Sequence, residues 1–331
     1  FNYRPFRYQV NYKKLPQQII LGSETASTVS SRGVYKFPVE RKAMAVYEDH
    51  QSSSYDVEHC NWSNLPEDDF IQHEDLPYCI GEFVWTGFDY LGEPTPYYTN
   101  WPSHSSLFGI IDLAGIPKDR YYLYRSHWNK SAKTLHILPH WTWPGRESEV
   151  TPVFVYTNYP AAELFINGKS YGKQSKNNSS LKSRYRLMWM DAVYEPGEVK
   201  VVAYDKDGKA VAEKSVRTAG KPHHIELVSN RNELTADGKD LAYVTVKVVD
   251  KDGNLCPADS RLINFSVKGA GKYRAGANGD PTSLDLFHLP KMHAFNGMLT
   301  AIVQTNETAG EIILTAKAGG VKAGSIRLLT K

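Results

Sequence analysis

At 331 residues the chain exceeds the usual single domain of roughly 100–200 residues, so two or three domains are expected. Hydrophobic residues at 41% and charged residues at 23% match ordinary globular proteins, which excludes a disordered, collagen-like or coiled-coil chain. The 39 basic and 36 acidic residues are interspersed, so no footprint for nucleic acid or anionic lipid is visible, and no run approaches the roughly 18–20 apolar residues of a membrane span.

The first residues, FNYRPFRYQV, carry no signal-peptide design and read as the interior of a domain. QQIILGSE reads as a short apolar strand entering a polar loop, FPVERKAMAVYEDHQ around 36–51 as a helix, YCIGEFVWTGFDY as a second strand, and DRYYLYRSHW as a second helix. Strand, loop and helix in repetition suggest βα units. From about Ser131 the pattern becomes short alternating runs (VTPVFVYTN, AAELFING, GEVKVVAYDKDG) punctuated by Gly, Pro and Asn, the pattern of an antiparallel sandwich, with Asn167-Gly168 as a type I′ hairpin turn. After the Gly220-Lys221-Pro222 linker a third block (IELVSN, LAYVTVKVVDKDGN, LINFSVKG, GEIILTAKAGG) alternates in the same way and reads as a second sandwich of immunoglobulin-like size. The expected division is therefore 1–130, 131–219 and 220–331.

Cys60, Cys79 and Cys256 leave at least one thiol unpaired and have no metal-ligand spacing. The 21 Tyr and 7 Trp are the compositional excess; such rings pack cores, and they also lie against the apolar face of pyranoses. Trp141, Trp143 and Trp189 are either sandwich core or an exposed glycan platform, alternatives that their exposure separates. Glu24 follows the first apolar strand, and in a (β/α)₈ barrel the strand C-termini carry the chemistry, although a surface Glu at a strand end fits the local residues as well.

The motifs FNYRPFRYQ, IILGSETASTVSSRGVY and GEFVWTGFDYLGEPTPYY resemble the sixth, seventh and eighth barrel strands of glycoside hydrolase family 2, and WPSHSSLFGIIDLAGIPKDRYYLYRSHW resembles the closing loop and last helix in its β-galactosidase branch. The resemblance spans the chain and implies a multidomain fold: the C-terminal part of a (β/α)₈ TIM barrel followed by two immunoglobulin-like all-β sandwiches. It implies retaining hydrolysis of terminal β-galactosides or related oligosaccharides, with Glu24 as nucleophile and Tyr3 donating a hydrogen bond that orients it. Trp85 would floor the sugar pocket, Asp89 would bind a sugar hydroxyl or support the site, and Trp101 would line the aglycone side together with His104, Tyr97 and Tyr98.

Glu82 either faces the barrel interior in support of the nucleophile or pairs with a neighbouring Arg as a structural ion. Arg32 either neutralises carboxylates near the site or forms a fold-stabilising ion pair. β-Glucuronidase or another family 2 specificity is the nearest alternative, although the loops show no basic partner for a substrate carboxylate in the expected family pattern; a non-catalytic glycan-binding or scaffold piece is the alternative from another class.

Two departures from the family pattern stand out. Ser27 occupies a position where some members have a histidine, and their metal site is not recognisable, so neither a metal nor another cofactor is expected. A barrel needs about 250 residues and at most about 130 here resemble one, so the fourth-strand acid/base glutamate lies outside the chain and the fragment alone is expected to be inactive. The resemblance implies a periplasmic or secreted location and leaves room for a homo-oligomer.

Overall fold

The structure is a computed structural model that describes residues 1–14 and 19–331; Gln17 and Gln18 of the first expected strand lie outside the described residues. Two compact units are present, the first made of 1–112 and 117–217, the second of 113–116 and 218–331. The first begins with a 3-10 turn (Pro5–Arg7) and α1 (Tyr8–Tyr12), followed by β1 (Ile20–Ala26), β2 (Lys42–Ala43), β3 (Glu58–His59), α2 (Pro66–Asp75), β4 (Cys79–Trp85) and α3 (Asp119–Trp128). It continues with β5 (Leu135–Leu138), β6 (Val153–Thr157), β7 (Ala161–Ile166), β8 (Lys169–Ser175), α4 (Leu181–Tyr185), β9 (Leu187–Trp189), β10 (Glu198–Tyr204) and β11 (Ala210–Arg217).

β1 and β4 pair in parallel, and an isolated parallel bridge from Asn2 to Glu24 adds the chain's first residues beside β1. The run from β1 to β4 passes through α2, as a parallel connection requires. One side of the pair is buried: Ile20 and Cys79 pack with Tyr8 of α1. On the pair as a whole, Leu21, Ile80 and Phe83 are exposed, Phe83 at 65%. Three large apolar side chains exposed on one short strand pair are more than a water-facing surface usually carries.

The helix expected at 36–51 does not form. Met44 and His50 adopt left-handed backbone conformations, and the segment is held by tertiary polar contacts instead: Lys36 bonds Asp49 at 2.5 Å and the Tyr47 hydroxyl donates to Glu58 at 2.6 Å. Conversely α2 was not anticipated, although Pro66 at its first position and Glu67, Asp68 and Asp69 in its first turn are favourable start signals.

The first sandwich stacks β5-β6-β9 against β11-β10-β7-β8. Its core holds Trp141, Val153, Leu164, Trp189 and Val201, each large side chain contributing roughly 1.5–3 kcal/mol of burial. Asn167 and Gly168 both have positive φ between β7 and β8, the type I′ geometry that the Asn-Gly pair suggests. This sandwich is joined to the preceding segment by buried polar contacts: Tyr55 donates to the Pro152 carbonyl at 2.7 Å, Tyr156 to Asp56 at 2.7 Å, and Arg186 to Glu67 at 2.5 Å.

The second unit contains β12 (His224–Ser229), β13 (Glu233–Leu234), β14 (Leu241–Val249), β15 (Leu262–Gly269), β16 (Gly271–Ala277), β17 (Lys291–His293), β18 (Met298–Thr305), β19 (Gly310–Lys317) and β20 (Gly324–Thr330). Sheets β12-β14-β18-β16 and β13-β20-β19-β15-β17 enclose a core of Val244, Val246, Phe265, Leu299, Ile312 and Leu314. The period-2 burial along β14 and β19 is the alternation visible in the sequence. Among the described residues no helix is long and apolar enough to cross a membrane.

Candidate active site

Glu24 stands near the C-terminal end of β1, where the register with β4 shifts between Gly22 and Thr25. That irregularity turns the strand end: Ala26 and Ser27 have φ of 65° and 50°, and across the bridge Tyr3 and Arg4 have 53° and 54°. Four non-glycine residues in the left-handed region cost of order 1–3 kcal/mol each, a concentration typical of functional sites. The Tyr3 amide donates to the Glu24 carbonyl at 2.8 Å, which fixes the two segments side by side.

The side chains then converge. Tyr3 Oη donates to Glu24 Oε1 at 2.7 Å, and Asn2 Nδ2 donates to Oε2 at 3.2 Å. Ser27 Oγ lies 2.7 Å from Tyr3 Oη; because the phenol proton is committed to Glu24, the serine hydroxyl is the donor. Burial, with Glu24 adding to it, raises the Tyr3 phenol well above its ordinary range, so it remains a protonated donor at neutral pH. The residues from Thr25 to Ser30 are buried, whereas Glu24 is half-buried and reachable.

Ala26 pairs with Trp85 in the β1–β4 register, which brings the tryptophan to the same strand end. Its indole N–H donates to Tyr90 Oη at 3.2 Å, and Tyr90 donates to Glu93 at 2.5 Å. The ring is thereby held half-buried against the cluster of Val29, Cys60, Tyr97, Leu107 and Phe108.

Asp89 is 8% exposed, accepts from Gly109 N–H at 2.7 Å and pairs with Lys118 Nζ at 2.6 Å. Lys118 also donates to the Ser30 and Leu107 carbonyls, so Asp89 ties the loop after β4 to the loop after β1 rather than presenting a free carboxylate. Burial pushes Asp89 up to about 6 despite the lysine. Trp101 is 71% exposed with its ring tilted against His104, while Tyr97 is buried and donates to the Gln51 carbonyl. Arg32 forms a buried ion pair with Asp112 at 2.6 Å.

Glu82 fits neither alternative read from the sequence. It accepts from Thr25 Oγ1 at 2.8 Å on the buried side of the strand pair, 4.0 Å from His73 of α2, and desolvation pushes its carboxyl up to about 7. Thus Tyr3 and Glu24 are brought into contact and Trp85 stands at the same strand end, whereas Asp89 and Trp101 share no hydrogen bond with the carboxylate among the described residues. Asn2 was missed, though it stands in the same FNY motif as Tyr3.

Trp141 and Trp189 are 0% and 1% exposed, and Trp143 packs on His140, Tyr35 and Phe37. These three rings therefore form no glycan platform. Among the described residues no group of three or more His, Cys, Asp or Glu is arranged to hold a metal, and the three cysteines are buried and free.

Residues 225–327 match the glycoside hydrolase family 2 C-terminal domain 5, and residues 148–212 match a domain of unknown function. The β-galactosidase BoGH2A of Bacteroides ovatus is 41% identical over 322 residues, covering 95% of this chain and 36% of that protein. The chain belongs to glycoside hydrolase family 2. A putative β-glucuronidase of Formosa agariphila is 35% identical over 208 residues, covering 62% of the chain and 20% of that protein. The crystal structure of a β-glycosidase from Bacteroides vulgatus superposes with a TM-score of 0.85 at 30% identity over 97% of this chain and 43% of that one. The chain thus spans about a third of the first of these three proteins and less than half of the other two.

Proposed function

We propose that the full-length protein containing this chain is a retaining exo-β-galactosidase with Glu24 as its nucleophile. The observation that carries the reading is a reachable carboxylate near the C-terminal end of a parallel strand, held by the Tyr3 hydroxyl at 2.7 Å. The parallel β1–β4 pair with its intervening helix, and the apolar residues it leaves exposed, support a barrel completed by residues outside this chain.

In this reading Glu24 attacks the anomeric carbon and displaces the aglycone, whose oxygen takes a proton from an acid outside the chain. Water then releases galactose with retained configuration. Tyr3 and Asn2 hold the carboxylate in the attacking geometry, and Ser27 holds Tyr3. Trp85 supplies an apolar face for the ring. Retention requires two carboxyl groups about 5 Å apart, so the chain alone is expected not to turn over substrate. A periplasmic or secreted location belongs to the same reading and is tested by cell fractionation.

β-Glucuronidase is the second reading, favoured by the 35% identity to the Formosa agariphila protein. Parallel assays with chromogenic β-galactoside and β-glucuronide on the chain and on the full-length protein, each with and without Glu24→Gln, decide. Galactoside hydrolysis confined to the full-length protein and abolished by Glu24→Gln is expected; activity that survives Glu24→Gln would refute the nucleophile.

A further inference from the structure

Beside the nucleophile's supports lies a cavity of about 450 Å³ whose wall includes Arg4, Arg41, Asn61, Trp62, Asp68 and Gln72. This is within the roughly 300–1,000 Å³ of ordinary ligand sites. It adjoins the carboxylate's surroundings through covalent and hydrogen-bonded neighbours. Arg4 follows Tyr3 in the chain. Ser63, also in the wall, donates from Oγ to the Ser27 carbonyl at 3.1 Å, and the Asn64 amide donates to the Ala26 carbonyl at 3.1 Å.

The lining has a definite chemistry. Trp62 is 38% exposed and, with Phe6 and Ile71 in the same wall, gives the cavity an apolar side against which a ligand's apolar face can pack. Arg41 and Asp68 neutralise each other through contacts of 2.8 and 3.3 Å. Arg4 is exposed and has no ion-pair partner among the described residues, which leaves a fork of guanidinium donors next to the side-chain amides of Asn61 and Gln72. An indole face beside several hydrogen-bond donors and acceptors, one of them the unpaired Arg4 guanidinium, matches a pyranose, whose C–H face is apolar and whose edge is lined with hydroxyls.

We propose that this cavity is a subsite for a sugar unit of the glycan other than the one that Glu24 releases. The proposal rests on the glycosidase reading and goes beyond it by assigning Trp62 and Arg4 to recognition of the longer substrate.

The test uses the full-length protein with Glu24→Gln and calorimetric titration with a β-galactosyl tetrasaccharide and with galactose. Adding Trp62→Ala should weaken the tetrasaccharide about tenfold and leave galactose unchanged, with Trp62→Phe recovering part of the loss. Arg4→Gln should act in the same direction. With Glu24 restored, Trp62→Ala should raise KM for the tetrasaccharide while kcat/KM for 4-nitrophenyl β-galactoside stays as in the parent. Tetrasaccharide affinity unchanged by Trp62→Ala, or an equal loss for galactose, overturns the subsite whether or not the nitrophenyl galactoside is hydrolysed. Absence of that hydrolysis speaks instead against the proposed activity.

Discussion

The Tyr3 hydroxyl and the Glu24 carboxylate meet at 2.7 Å across two segments that are 21 residues apart in sequence and bonded side by side through their backbones. The contact is between a phenol kept protonated by burial and a carboxylate with one further side-chain donor, Asn2. A hydrogen bond to a charged group is worth about 1.5–3 kcal/mol. Tyr3→Phe in the full-length protein should therefore lower kcat/KM on a chromogenic galactoside by roughly tenfold to a hundredfold. Its melting temperature should stay close to the parent's, because no ion is left buried. Steady-state kinetics beside a thermal scan separate the two effects.

Glu82 predicts a pH dependence of stability. Its folded carboxyl titrates near 7 against 4.5 for the free side chain, with burial as the cause and the Thr25 hydroxyl opposing it. Between these values Glu82 holds more of its proton in the folded than in the unfolded state, so its contribution to stability is greatest below about pH 4.5 and falls as pH rises towards 7. Glu82→Gln keeps an acceptor for Thr25 and removes the titration. The difference between parent and variant should move by up to about 3 kcal/mol across that window. Denaturant unfolding at pH 5 and pH 7.5 measures it, and parallel curves for the two proteins would remove Glu82 as the source.

The Asp89–Lys118 pair predicts a structural loss rather than a selective loss of sugar affinity. Asp89→Asn leaves an ammonium buried without its counter-ion, which costs about 3–5 kcal/mol. Unfolding midpoint should fall sharply, and whatever folded protein remains should bind galactose as the parent does. A variant of parental stability with weakened galactose binding would instead assign Asp89 to the sugar.

Gly109 is needed for close approach rather than for backbone freedom. A Cβ there would stand 2.1 Å from the Asp89 nitrogen and 2.4 Å from the Ile111 carbonyl, both backbone atoms that cannot move alone. Gly109→Ala should cost at least about 1–3 kcal/mol by overpacking. Circular dichroism in denaturant tests this, and an unchanged midpoint would show that the loop relaxes freely.

How far the sequence led depended on how local each determinant was. The sandwich strands were legible because period-2 burial and the Asn167-Gly168 turn are written in adjacent residues. The Tyr3–Glu24 contact and the strand-end place of Trp85 were legible through motifs attached to strand ends, while their roles in catalysis remain a proposal. The environment of Glu82 was not, since its neighbours Thr25 and His73 come from β1 and α2, and α2 itself was overlooked despite its acidic first turn. Lys118 lies 29 residues beyond Asp89, so nothing near Asp89 signalled that its carboxylate was engaged. The misread segment 36–51 has helical spacing, but its side chains are committed to tertiary contacts such as Tyr47 with Glu58, which override local propensity.

The most direct test of the central claim is to trap the covalent intermediate. The full-length protein is incubated with a 2-deoxy-2-fluoro-β-galactosyl fluoride, digested, and the labelled peptide located by mass spectrometry. One added fluorogalactosyl group on Glu24, within IILGSETAST, and none after Glu24→Gln, is the expected result. A label on any other carboxylate, or steady hydrolysis of a chromogenic galactoside by the Glu24→Gln protein, would contradict it.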